Sequence, residues 1–200
     1  MIAKIYKCFI ASPRDTQAER EACEVAFTEI NSTLGDQLGF RIESVRWENH
    51  ASPGFGKDGQ DVLNRQLSPG EHDFFIGIMW CRFGTPTPRA ESGTEEEFNQ
   101  AYDSWKKCNN KRLQIYFNTA APKNLNDIDT QQLDKVRGFK QKVSGCGGFY
   151  VEYDNLETFK TKFRASIEKE LLAMSKTVVS AKSPAHISNL EDILNERLNQ

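Results

Sequence analysis

Three consecutive glutamates, Glu95 to Glu97, follow Ser92-Gly93-Thr94 where a glycine-containing loop turns into a helix. Acids at such a place can cap the helix. Thr94 has a good N-cap side chain, Glu97 stands three residues on as a capping-box partner, and first-turn carboxylates favour the helix dipole. Alternatively, one of them faces a cleft. A carboxylate there can act as a nucleophile or stabilise positive charge that develops on a bound substrate. Helical spacing separates the three. Phe98, Ala101, Tyr102, Trp105 and Cys108 define the apolar stripe. At ~100° per residue, Glu96 falls almost opposite that stripe and is expected in solvent. Glu95 lies near bulky Phe98 and Tyr102, whereas Glu97 stands one turn above small Ala101 and has the space.

Other candidates cluster in three loops. In "ASPRD", Ser12 and Asp15 either cap the following helix or approach a ligand. Arg14 beside them can grip an anionic ligand group bidentately, and a helix N-terminus is itself an anion site. Trp80, Arg82 and Phe83 close an apolar run. They read either as core packing and a turn, or as an aromatic stacking face with a phosphate-binding arginine. Trp47 offers the same at an earlier strand end. Phe55 lies in "PGFGKDG", a formal GxGxxG that stands six residues beyond Trp47. The dinucleotide fingerprint needs its glycines immediately after a strand, so a flexible loop is the better reading. Ser92 and Thr94 complete the expected substrate-binding set. His50, His72 and His186 lack metal-ligand spacing, so no metal is expected. No GxxxxGK[ST] or GxSxG occurs, which argues against NTPase and α/β-hydrolase chemistry.

These loops need a scaffold, and the pattern supplies one. Strand-like runs at 4–11, 40–47, 73–80, 112–117 and 147–153 alternate with helical segments at 16–34, 60–67, 94–107, 130–143 and 155–174. The run "DFFIGIMW" is apolar throughout, as a central strand covered on both faces requires. In the last helix Leu156, Phe159, Phe163, Ile167 and Leu171 share one stripe. The expectation is an α/β fold: a doubly wound, five-stranded parallel sheet of flavodoxin-like type with helices on both faces. Ligands of that architecture bind outside the carboxyl ends of the strands, near the point where strand order reverses. Residues 1–174 are expected to form this domain and 175–187 a linker. Residues 188–200 follow as an amphipathic helix with a Ser188/Glu191 capping box, which starts a further domain, mediates self-association or packs back on the domain.

Composition bounds the partners. The 26 basic and 28 acidic side chains sum to −2, which gives no field for nucleic acid or an anionic membrane. No apolar run approaches the ~18 residues of a membrane span. The five cysteines are widely spaced with no CxxC pair, which suits reduced thiols in a cytoplasmic protein.

"GTEEEFNQA" resembles the Gly-Thr-x-x-Glu-x-x-x-Ala pattern of nucleoside deoxyribosyltransferases, whose glutamate attacks a glycosidic carbon. Over a longer span, "KIYKCFIASPRDTQAERE" and "IGIMWCRFGTPTPRAESGTEEEF" resemble a TIR-like family of unknown function often found ahead of STAND-type NTPases. The likeness covers about residues 3–120 well and the remainder by architecture. It implies a TIR-like fold in which Glu97 cleaves the nicotinamide–ribose bond of NAD or NADP, bound as substrate without a separate cofactor. It further implies homo-oligomeric assembly, a downstream NTPase or sensor partner, and a role in defence signalling. Two other readings keep the same residues: a non-catalytic assembly module, and a deoxyribosyltransferase-like N-glycosidase.

Overall fold

The computed structural model describes residues 4–108, 110–122, 124 and 128–179, with side chains described through Ser175. Five strands run as β1 (Lys4–Ala11), β2 (Phe40–Val45), β3 (Phe74–Met79), β4 (Arg112–Asn118) and β5 (Tyr150–Tyr153). The helices are α1 (Gln17–Ile30), α2 (Gly59–Leu67), α3 (Gly93–Cys108), α4 (Thr130–Gly145) and α5 (Leu156–Val179). All strand pairs are parallel, in the order β2-β1-β3-β4-β5. This is the flavodoxin-like order, and its reversal falls between β1 and β3. The expected fold class is thus the observed one.

Strand alternation splits the core into two layers. Tyr6, Cys8 and Ile10 of β1, with Phe74, Ile76 and Ile78 of β3, face α1 and α5. Phe9 and Ala11, with Phe75 and Met79, face α3 and α4. Every residue of β3 is buried, which explains why its sequence lacks alternation. The α5 stripe is a complete zipper: Phe159, Phe163, Ile167 and Leu171 have no exposed surface. Each buried side chain of this kind contributes roughly 1.5–3 kcal/mol. Among the described residues no helix is long and apolar enough to cross a membrane.

Three boundaries differ from expectation. The helix after β1 continues beyond Leu34 through a π-turn at Asn31–Gly35 and a last turn at Asp36–Leu38. Gly39 ends it in the left-handed region at φ 73°, the usual role of a C′ glycine. The second strand stops at Val45, and Trp47–His50 form one helical turn where a loop was expected. At the other end, α5 runs through Val179, so the first five residues of the expected linker are helical. The rest of that linker and the helix expected at 188–200, His186 included, lie outside the described residues.

Candidate functional site

A cleft of about 600 Å³ opens at the carboxyl ends of the strands, at the β1/β3 reversal. The loop after β1 contributes Ser12, Pro13 and Arg14, and the turn after β2 contributes Trp47. Arg82, Gly84 and Thr85 follow β3; Thr94 and Glu97 come from α3, Gln60 and Leu63 from α2, and Asp129 and Gln132 from the start of α4. Thus seven of the sequence-designated residues – Ser12, Arg14, Trp47, Arg82, Thr94, Glu97 and, through its cap, Ser92 – meet at or beside one cavity.

Glu97 is the buried acid within it. Its side chain is not folded back on its own backbone: Oε1 accepts a hydrogen bond from Gln60 Nε2 at 3.0 Å. Only 7% of the residue is exposed. Burial pushes its carboxyl up to about 8; the Gln60 bond opposes that rise, while the charges of Glu96 and Glu48 reinforce it. An empty cleft at neutral pH therefore holds Glu97 mostly protonated.

The capping expected of Thr94 and Glu97 is carried out two residues earlier. Ser92 Oγ accepts from Glu95 N–H at 3.1 Å, and Glu95 Oε2 accepts from Glu91 N–H at 2.9 Å. This shift releases Thr94 and Glu97 from helix punctuation. At Gly93, the first helical residue, a Cβ would stand 2.5 Å from Gln60 Oε1 and would displace that side chain. Glycine at 93 thus leaves the Gln60 amide in place against Glu97.

Glu96 corrects the sequence reading: it is 4% exposed, not solvated. The sheet is not the sole packing surface of α3: α2 and the β3–α3 loop cover the opposite flank. Glu96 Oε1 accepts from Asn64 Nδ2 at 2.6 Å and from Arg89 Nε at 2.5 Å. Arg89 also bridges to Asp58 at 2.9 and 3.1 Å, clasping the loop to the start of α2.

Four designated residues stand apart from the cavity wall. Phe83 is a core residue, 2% exposed and packed on Phe139 with ring centroids 5.7 Å apart. Gln132 turns it inward by accepting from Phe83 N–H and Gly84 N–H at 2.8 and 3.0 Å. Gly84 itself adopts φ 106°, a conformation that glycine alone adopts without strain. Trp80 spends its indole N–H on Ala120 O at 2.8 Å. Phe55 projects fully into solvent from the glycine-rich loop. Asp15 Oδ2 accepts from Cys81 N–H and Arg82 N–H at 3.0 and 2.8 Å, so it ties the β1 and β3 loops together.

The sequence reading missed Gln60, Asp129 and Gln132. Asp129 caps α4, accepting from Gln131 N–H and Gln132 N–H, and the Asp-Thr pair ahead of an apolar-periodic run was a visible cap signal. Nothing local marked Gln60, which meets its partner 37 residues away. Three of the five thiols are poor nucleophiles. Burial raises Cys8, Cys23 and Cys81, leaving little thiolate. His72 stacks on Phe9 at 5.6 Å and contacts Leu67 O, a packing role.

The arrangement is that of a flavodoxin-like domain whose switch-point cleft pairs one buried carboxyl with two arginines at the rim. The sequence matches the family described as Domain of unknown function (DUF4062) over residues 7–168, and the chain belongs to that family. No curated protein matches the sequence. Among solved structures, a conserved protein from Enterococcus faecalis V583 is similar at 13% identity and TM-score 0.41, covering 81% of this chain and 99% of that one. Homoserine dehydrogenase from S. aureus is similar at 11% identity and TM-score 0.35, over 76% of this chain and 33% of that one. Rubredoxin oxygen:oxidoreductase from Desulfovibrio gigas is similar at 9% and 0.38, over 85% and 38%.

Proposed function

We propose that this chain cleaves the nicotinamide–ribose bond of NAD or NADP, with Glu97 as the catalytic residue. The observation that carries the reading is the buried Glu97 carboxyl, held by Gln60 at the wall of a cleft large enough for a dinucleotide portion. Arg14 and Arg82 on the rim suit the phosphates, and Trp47, 41% exposed, offers a stacking face for a base.

Heterolysis of the C1′–N bond leaves its electron pair on the pyridinium nitrogen, so nicotinamide departs neutral. Positive charge moves to C1′ and the ring oxygen, where a carboxylate stabilises it. Water then adds to C1′ and loses a proton, giving the ADP-ribose product. The leaving group is already cationic, so no acid is needed to expel it. Glu97 must act as the anion, and a bound pyridinium favours that form. Substrate binding therefore releases a proton below about pH 8.

The same proposal includes a TIR-like relationship, self-association and a cytoplasmic defence-signalling role alongside a STAND-type NTPase or sensor. The exposed Phe55 on a glycine-rich loop supports self-association by offering an apolar handle to a neighbouring protomer. Five free thiols suit a reducing compartment.

The test is incubation of the purified chain, dilute and under crowding, with NAD, NADP and a deoxynucleoside panel, following base release by chromatography. Nicotinamide release is expected from the parent protein and from Asp103→Asn on the outer face of α3, and not from Glu97→Gln. Base exchange among deoxynucleosides would transfer the site to deoxyribosyltransferase chemistry. Silence from cross-linked oligomers with an intact fold rejects catalysis and leaves an assembly module.

A further inference from the structure

Arg20, on α1, is 4% exposed, and no resemblance or spacing marked it. Its guanidinium reaches two separate loops. Nη1 donates to Ser12 Oγ and Pro13 O, both at 2.7 Å, in the segment after β1. Nε pairs with Glu48 Oε1 at 3.1 Å, in the helical turn after β2. Gln17 holds the remaining nitrogen, Nη2. One turn along α1, Glu24 pairs with Arg46 at 3.0 Å, so α1 and the end of β2 are laced by two ion pairs of opposite polarity. The second pair touches only the β2 side.

We propose that Arg20 is a positioning residue of the Glu97 cleft, holding the β1 and β2 loops as one wall through its bonds to Ser12 and Pro13 and its pairing with Glu48. The reaction it would serve rests on the reading above, but the wall is a property of the fold. Ser12, Pro13 and Trp47, the wall residues, all line the cleft that contains Glu97. A buried arginine in this role is not interchangeable with lysine, whose single ammonium cannot reach two loops in a fixed fork.

The groups facing Glu97 are known from each element around it. Gln60 comes from α2, Glu96 from α3 itself, and Glu48 from the turn after β2. Arg14, Arg82 and Asp129 stand on the remaining cleft wall. Of the carboxylates, Glu48 and Glu96 are the two whose charge opposes ionisation of Glu97. Arg89 holds Glu96, and Arg20 holds Glu48.

Hydrogen exchange and an NMR titration of the Glu97 carboxyl test this on the whole chain. In Arg20→Lys, segments 12–14 and 46–50 should both exchange at least tenfold faster while α5 is unchanged. In Glu24→Gln only 46–50 should loosen. Glu48→Gln should lower the Glu97 midpoint, Arg20→Met should raise it, and Glu24→Gln should leave it in place. If Arg20→Met does not fold, Glu48→Gln and Arg20→Lys decide. Where the parent releases nicotinamide, Arg20→Lys should raise KM about tenfold or more with kcat within threefold. Independent exchange of the two loops, or a Glu97 midpoint indifferent to Glu48→Gln, overturns the proposal. A parent chain without activity but with both couplings intact refutes the enzymatic reading alone.

Discussion

Replacing Glu97 by glutamine should remove a pH-dependent loss of stability between about pH 4.5 and 8. Glutamine copies the protonated acid in shape and donor pattern, and Gln60 Nε2 can still donate to its carbonyl oxygen. What it removes is the ability to ionise. In the folded chain Glu97 holds its proton up to about pH 8, against an ordinary value of 4.5. Between those values the folded state binds a proton that the unfolded state has lost. The raised carboxyl thus supports the fold fully below about pH 4.5, and that support is lost as pH rises toward 8. The slope is ~1.4 kcal/mol per pH unit for one proton, so from pH 5 to 7 the parent should lose ~2.7 kcal/mol that Glu97→Gln keeps. With a urea m-value of ~2 kcal/mol/M, the two midpoints should diverge by ~1.3 M over that interval. Urea titrations of both proteins at half-unit pH steps provide the assay. Because the difference between them is read, background titration cancels. Parallel curves would mean that Glu97 is ionised at neutral pH, and the account of its burial would be wrong.

Gly93→Ala should drive the Gln60 amide off Glu97, since the new Cβ would stand 2.5 Å from Gln60 Oε1; loss of that bond raises the Glu97 midpoint further, visible by carboxyl NMR. Arg89→Ala should destabilise because it leaves buried Glu96 without its cation. Adding Glu96→Gln should recover most of that loss in chemical denaturation. Phe163→Ala, in the fully buried α5 stripe, should lose ~3–5 kcal/mol with no change in the Glu97 midpoint.

The fold was legible because its signals are periodic and redundant. The unbroken apolar run of β3 announced burial on both faces, and the 3.6-residue stripe of α5 announced a helix lying on the sheet. Boundaries failed where a local signal had two meanings. Gly35 directly follows the helix end expected at Leu34, yet only Gly39 takes the left-handed conformation. Gly35 stays helical because its missing side chain lets the helix pass the Phe40 carbonyl, 2.7 Å from where a Cβ would be. Close approach and chain reversal call for the same residue, and a single sequence does not distinguish them.

The site was legible in part for a different reason. Glu97 could be chosen from three acids because Ala101 left room one turn away, a property of its own helix. The fate of Glu96 depended on Arg89 and Asn64, 7 and 32 residues away, and no helical wheel contains them. The same holds for aromatic residues. Trp47 and Phe83 both follow strands, yet Trp47 borders the cleft and Phe83 enters the core, because Gln132 fixes the backbone at Phe83 and Gly84. Residues that make the chemistry are selected by type, and type can be read. Residues that aim them are selected by reach: Gln60, Gln132 and Arg20 are ordinary polar side chains until the sheet brings their loops together. A search for function in such a domain therefore gains most from substituting the aiming residues, since their effects report the geometry that a catalytic substitution only abolishes.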